Sequence, residues 1–333
     1  MTKKKILFGI GIFLLVAMLA ILSANSGTPD AAPSSSPTPQ ATLKKIEASQ
    51  IPFQIDLPSI TSSGRLVFST YRRTALGSSN LVGKDFKNTT PQQFRYMDDV
   101  AWSPDGSRAI IKSLGKTVLF DRGKLRTLNA GIQNAEWAPD NQRFAYTYRD
   151  LPHVYDVSAK RFTRLADTKL GNRFAWTPDG DRLATFSDVT DGGALYLISI
   201  SSKDLVATGE KNVISALWSP NAERLLVTKS VNGSPMLYAY EQATKNKKDL
   251  KLPALAEKAA WLSNERFYVA APETVGPDYL ETSEPFNDYL WSVSMEDRER
   301  LAELDGIVSA LRVSKDRLVL ITPTSVYQMG VSR

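Results

Sequence analysis

From Thr61 onward the hydrophobic and polar positions repeat one short arrangement. A small or apolar pair leads to tryptophan, a tight polar turn follows, and then comes an arginine heading an alternating apolar run. It reads VAWSPDGSRAII from Val100, AEWAPDNQRFAYT from Ala135, FAWTPDGDRLATF from Phe174, ALWSPNAERLLVT from Ala216 and AAWLSNERFYVA from Ala259. A worn copy, ALRVSKDRLVLIT, starts at Ala310, and the first copy keeps only TSSGRLVFST from Thr61. Proline presets φ for the turn, aspartate can bond its own backbone, and glycine accepts positive φ, so each copy predicts a β-hairpin. Further strand-like runs follow each hairpin, for example residues 194–200 and 204–208, which makes four strands per repeat.

The shared arginines are Arg65, Arg108, Arg143, Arg182, Arg224, Arg266 and Arg317, at spacings of 43, 35, 39, 42, 42 and 51 residues. That is the period of a four-stranded propeller blade rather than of a helical solenoid. The prediction is an all-β, seven-bladed β-propeller over residues 51–333, with six or eight blades as alternatives. The last repeat supplies three strands, over residues 308–313, 318–322 and 325–330. Residues 52–57 (PFQIDL) alternate apolar and polar just before the first repeat, and they are expected to complete the seventh blade by pairing its open edge.

The Trp-Ser-Pro-Asp-Gly signature with its arginine and apolar run is held at Trp102, Trp176 and Trp218, and more loosely at Trp137 and Trp261. Over nearly all of residues 52–333 it resembles the TolB-like, WD-repeat-like β-propeller family. The resemblance implies an exported propeller used for protein contact. It speaks for fold far more than for function, because one fold hosts many sites.

Ahead of the repeats, residues 6–22 are an uninterrupted run of 17 apolar residues and glycines behind Lys3, Lys4 and Lys5. As a helix the run would rise about 26 Å, close to the ~30 Å of a hydrocarbon core. It is longer than the apolar part of a cleaved signal peptide, and cleavage after Ala24 would put Leu22 where a small side chain is needed. Residues 1–5 therefore read as a cytoplasmic basic N-terminus and 6–24 as a transmembrane signal-anchor, with a signal peptide as the alternative. The lysines place the rest of the chain across the membrane. Residues 25–50, with Pro29, Pro33, Pro37 and Pro39, read as a Pro/Ser/Thr/Ala-rich linker. The expected location is the cell membrane, single-pass, with the propeller on the extracytoplasmic side, or secreted or periplasmic after cleavage.

Composition then narrows the chemistry. At 42% hydrophobic and 23% charged, the 333 residues suit a packed body. The net charge is +6, half of it from the three N-terminal lysines, and no basic cluster with interleaved aromatics follows, so nucleic acid is not an expected partner. There is no cysteine, hence no disulfide, thiolate metal site or catalytic thiol. His153, the one histidine, has no Gly-x-Ser-x-Gly elbow to serve, and no catalytic constellation is found. Asp105, Asp140 and Asp179 each sit in their own turn and do not converge as a calcium site requires. No cofactor or metal is called for. The recurring tryptophans are expected to pack between blades, and the arginines to hold carbonyls of turns or neighbouring blades.

Two features predict binding by a monomeric propeller. Three residues before the Trp position stand Asp99, Asn134, Arg173, Ser215, Lys258 and Ser309, polar in every copy. Such a ring is placed to line a channel mouth that reads a peptide or polar ligand. The longest spacing carries an acidic, aromatic loop over residues 272–288, between the second and third strands of blade six. Asp278, Tyr279, Glu281, Glu284 and Phe286 are its candidate partner-binding residues. The expected function is a non-catalytic module that binds a protein or peptide of the cell envelope. The alternative is an extracytoplasmic propeller enzyme or small-ligand sensor working at the channel mouth.

Overall fold

The computed structural model describes residues 43–47, 55–81, 84–90, 94–129, 131–187, 193–275, 287–314, 316–322 and 325–331. Wherever the sequence sets a tight turn between two alternating runs, the runs pair antiparallel. Among the described residues they form seven sheets of four strands. Strands are numbered in chain order, and the first, β1 (Lys44–Glu47), belongs to the last blade. Blade one holds β2 (Ile55–Ile60), β3 (Leu66–Thr70), β4 (Leu76–Ser79) and β5 (Lys87–Asn88). Blade two holds β6 (Asp99–Trp102), β7 (Arg108–Ser113), β8 (Lys116–Asp121) and β9 (Lys124–Thr127). Blade three follows with β10 (Gln133–Trp137), β11 (Arg143–Tyr148), β12 (Leu151–Asp156) and β13 (Arg161–Arg164). Blade four is β14 (Arg173–Trp176), β15 (Arg182–Phe186), β16 (Tyr196–Ser199) and β17 (Leu205–Ala207). Blade five is β18 (Val213–Trp218), β19 (Arg224–Val231), β20 (Ser234–Glu241) and β21 (Lys247–Asp249). Blade six is β22 (Ala259–Trp261), β23 (Arg266–Ala271), β24 (Tyr289–Ser294) and β25 (Arg298–Glu303). Blade seven comprises β26 (Ala310–Ser314), β27 (Arg317–Ile321), β28 (Ser325–Gly330) and β1.

The seventh blade closes, but not with the segment expected to close it. Residues 55–57 begin β2, the inner strand of blade one, and the closing strand is β1, which pairs Lys44 with Gln328 through Glu47 with Ser325. Composition explains the difference. The outermost strands β9, β13, β21 and β25 read KLRT, RFTR, KKD and RERLAE and are mostly exposed. An outer edge wants charge that discourages further pairing, and Lys-Lys-Ile-Glu supplies it. The more apolar PFQIDL suits an inner position. β1 lies inside the stretch that reads as linker.

The inner strands of successive blades adjoin one another, and the recurring residues join them. Trp137 Nε1 donates to Ala101 O at 2.9 Å, Trp176 to Glu136 O at 3.0 Å and Trp218 to Ala175 O at 3.1 Å, each reaching the preceding blade. These three tryptophans thus pack between blades and also stitch them, whereas the buried Nε1 of Trp102 and of Trp261 has no partner among the described residues. We expect Trp218→Phe to lower stability by about 1–2 kcal/mol, mainly through the lost hydrogen bond; a urea midpoint equal to that of the native chain would refute the stitch.

Four of the seven recurring arginines act at the turn side, while Arg65 pairs instead with Asp85 of its own blade. Arg108 donates to Asn141 O at 2.8 Å, Arg143 to Gly180 O at 2.9 Å, Arg182 to Ala222 O at 3.4 Å and Arg224 to Asn264 O at 2.9 Å. Each acceptor lies in the hairpin turn of the next blade. The turn aspartates are bound locally, since Asp105 accepts from Ser107 N, Asp140 from Gln142 N and Asp179 from Asp181 N at 2.8–2.9 Å. Gly106 and Gly180 take φ 71° at the tip, where a side chain would be strained.

Among the described residues no helix is long and apolar enough to cross a membrane. The predicted anchor, residues 6–24, lies outside them, as do Asp278, Tyr279, Glu281, Glu284 and Phe286 of the blade-six loop.

Candidate channel-mouth binding site

Because every blade starts its sheet on the inside, the seven inner edges enclose a channel of about 910 Å³ with lining from all seven blades. The first residues of the inner strands define one mouth. The Ser-Pro-Asp-Gly turns define the other, where Pro104, Pro139 and Asn141 line the wall. Of the six residues predicted to ring a mouth, Asp99, Asn134, Arg173, Ser215 and Ser309 line the channel. Lys258 does not: its Nζ lies 3.0 Å from Asp288 Oδ2, and the preceding residue, Glu257, takes the lining position.

Three blades are tied together at this mouth. Arg173 Nη2, on β14, lies 2.9 Å from Glu257 Oε2, on the short 3-10 turn Ala256–Lys258 that leads into β22. Glu257 N donates to Ser215 Oγ at 3.0 Å, so the link between blades four and six is braced on the intervening blade. Both charged side chains are about half exposed, and a pair so placed contributes about 0–1 kcal/mol. Its role is to fix where the guanidinium and carboxylate stand.

Glu136, one residue before Trp137, was missed by the sequence reading. It sits just past a bulge in β10, where the pairing shifts between Gln133 and Glu136 and Asn134 takes φ 48°. Its carboxylate faces the channel and makes no hydrogen bond or ion pair among the described residues. The residue is exposed to channel water. The surrounding protein pushes its pKa from 4.5 up to about 7 through desolvation, opposed by the charge of Arg173 and aided by that of Glu257. The available signal was positional: the matching residues are Ala101, Ala175, Leu217, Ala260 and Leu311, so Glu136 is the only charge at its place in the repeat.

Arg312 is a second such exception, standing at the Trp position of blade seven. Its Nη1 donates to Ile60 O at 3.0 Å, it has no carboxylate partner among the described residues, and burial lowers its pKa. His153 lies away from the channel on β12, with Nδ1 2.9 Å from Leu151 O and its ring stacked 5.3 Å from Tyr146. No group of three or more His, Cys, Asp or Glu among the described residues is placed to hold a metal ion.

At the far end of the blade-six loop, Asp288 is fully buried. Its Oδ2 accepts from Lys258 Nζ at 3.0 Å and from Val308 N at 2.7 Å, which locks the end of the loop to blades six and seven.

No known family model and no curated protein sequence matches the chain. Solved structures do. A chain of a mitotic checkpoint complex superposes with a TM-score of 0.61 at 16% identity, over 95% of this chain and 99% of that one. Hydrazine synthase of Kuenenia stuttgartiensis gives 0.57 at 11% identity, over 84% and 95%. TolB from Acinetobacter baumannii gives 0.44 at 14% identity, over 70% and 64%. At such identities likeness speaks for architecture alone, and the strand order, seven four-stranded sheets among the described residues, makes this chain a seven-bladed β-propeller.

Proposed function

We propose that the propeller is a non-catalytic binding module of the cell envelope, held at the membrane by residues 6–24 and engaging a protein or peptide at the mouth where the inner strands begin. One observation carries the reading. Five of the six polar residues singled out by their repeat position converge on one channel mouth, from five different blades. Their polarity is mixed: Asp99 and Glu257 bring negative charge, Arg173 positive, and Asn134, Ser215 and Ser309 neutral donors and acceptors. A concave site with a few convergent polar groups is the form a specific binding site takes. The motif resemblance to exported TolB-like, WD-repeat-like propellers is consistent with protein contact, and the apolar run behind three lysines supports the extracytoplasmic placement.

A photo-crosslinking residue at Asp99, an exposed residue of the channel lining, is expected to trap a partner in intact cells, while the same residue at Lys124, on the outer strand of blade two, traps none. Equal adducts at the two sites would sink the assignment of the mouth. Protease protection of membrane fractions tests the tether: the propeller should be digested only from the extracytoplasmic side.

A second reading, a small polar ligand held inside the channel, draws support from Glu136 and Arg312, which put unpaired charge on the channel wall. It implies no chemistry on that ligand.

A further inference from the structure

We propose that a second pocket, at the seam between blades three and four, is a binding site for a neutral pyranose sugar. The pocket encloses about 430 Å³ and shares no lining residue with the channel, so the proposal does not depend on the mouth being the partner-binding face.

Two connections between blades explain why the space is there. Leu165 N donates to Pro152 O and Leu250 N to Leu237 O, so the chains leaving blades three and five set out alike, and Leu165–Arg173 is as long as Leu250–Lys258. In blade five Thr228, four residues after the recurring arginine, clasps its connection. Its Oγ1 donates to Ala254 O at 2.9 Å and accepts from Ala256 N at 2.8 Å. Thr147 holds the same place after Arg143, but its connection is drawn to the opposite wall. Thr185 Oγ1 donates to Leu170 O at 3.3 Å and Asn172 N donates to Phe186 O at 2.9 Å, both acting from blade four. Between them Gly171 takes φ 113°, where a Cβ would collide with Phe186 O. Blade six has Val269 and Ala270 at those places, and so no hydroxyl to draw its connection away. The gap left between the connection and blade three is the pocket.

Thr147 lines this pocket, is 2% exposed, and its buried Oγ1 has no hydrogen-bond partner among the described residues. A buried hydroxyl without a partner is unfavourable, and a ligand hydroxyl relieves it. One step about χ1 turns the Thr147 oxygen to meet that ligand. The rest of the wall selects what the ligand is. Lys169 Nζ lies 2.6 Å from Asp150 Oδ2, so the two charges of the rim cancel and neither an anion nor a cation is favoured. Gln133 adds an amide, which both donates and accepts, and half-buried Tyr196 adds an aromatic side chain. Neutral donors and acceptors beside an aromatic ring complement a pyranose, which carries hydroxyls at its rim and C–H groups on its faces.

The test uses the full chain in a detergent without a sugar headgroup, read by saturation-transfer difference NMR. The probes are D-glucose, D-galactose, D-mannose and N-acetyl-D-glucosamine, each also as its methyl glycoside, with L-alanine and inorganic phosphate as charged controls. At least one sugar should bind with a dissociation constant of about 1 mM or lower, and neither control should. Tighter binding of the glycoside than of the free sugar places the end of a glycan in the pocket, and the reverse order a free sugar. Thr147→Val keeps the side-chain shape and removes the hydroxyl. It should weaken the sugar by about fivefold while leaving the urea midpoint unchanged or higher, because the hydroxyl makes no bond within the described protein. Gln133→Ala, at an exposed position, should weaken the sugar as well. No sugar binding below about 20 mM, or binding that both variants leave unchanged, overturns the proposal. Alanine or phosphate bound in place of the sugars overturns the ligand class. A urea midpoint lowered by Thr147→Val at unchanged sugar affinity makes the hydroxyl a structural group and overturns its role in the site.

Discussion

Removing residues 1–49 should lower the thermal midpoint of the propeller by on the order of 10 °C, while removing residues 1–41 should leave it in place. The two truncations differ by little more than β1, four residues whose ladder with Ser325–Gly330 completes blade seven. Without it β28 becomes an open edge. Val326, Tyr327 and Met329 are 1%, 4% and 6% exposed, and Leu43 packs on the same cluster as Tyr327 and Met329. The ion pair of Lys45 with Asp305 at 2.5 Å goes as well. Lost ladder bonds at about 1 kcal/mol each, with the uncovered side chains, sum to about 3–5 kcal/mol. At this chain length each kcal/mol moves the midpoint by about 2–4 °C. Identical midpoints for the two truncations would show that the ring does not depend on this strand.

The second large effect is expected at Asp288. Asp288→Ala strands the Lys258 ammonium in a site where its side chain is 13% exposed and leaves Val308 N without its acceptor. Breaking one side of a buried pair costs about 3–5 kcal/mol. The double variant Lys258→Met with Asp288→Asn keeps an acceptor for Val308 and removes the charge, so it should recover to within about 1–2 kcal/mol of the native chain. Guanidinium unfolding of the variants measures this directly. If the single and double variants were equally destabilised, the ion pair would not be what matters at Asp288.

The blades were legible in the sequence because each hairpin turn is a local event, specified by four or five adjacent residues. Trp137 and Arg143 could be assigned to inter-blade roles for the same reason: repetition marks what every seam needs. Closure was less legible. β1 and residues 52–57 are both short extended segments, and what separates them is how much water each position sees, which only the assembled ring decides. The mouth was readable as a ring of polar positions, yet Lys258 was misplaced because its partner Asp288 lies 30 residues away across the blade-six loop. Glu136 was hidden by the attention repeats invite. Conformity reveals the scaffold, and a lone departure from the repeat marks what this propeller does that an average blade does not.

The position of β1 also sets an order of events. Blades one to six are each made from contiguous chain and can form as that chain emerges, but blade seven joins the earliest-made strand of the propeller to the last. The ring stays unlatched until β28 is synthesised, so the first strand has to wait while nearly 280 residues are added. In the finished molecule any pull transmitted from upstream of Leu43 enters through that same latch and is borne first by its four residue pairs.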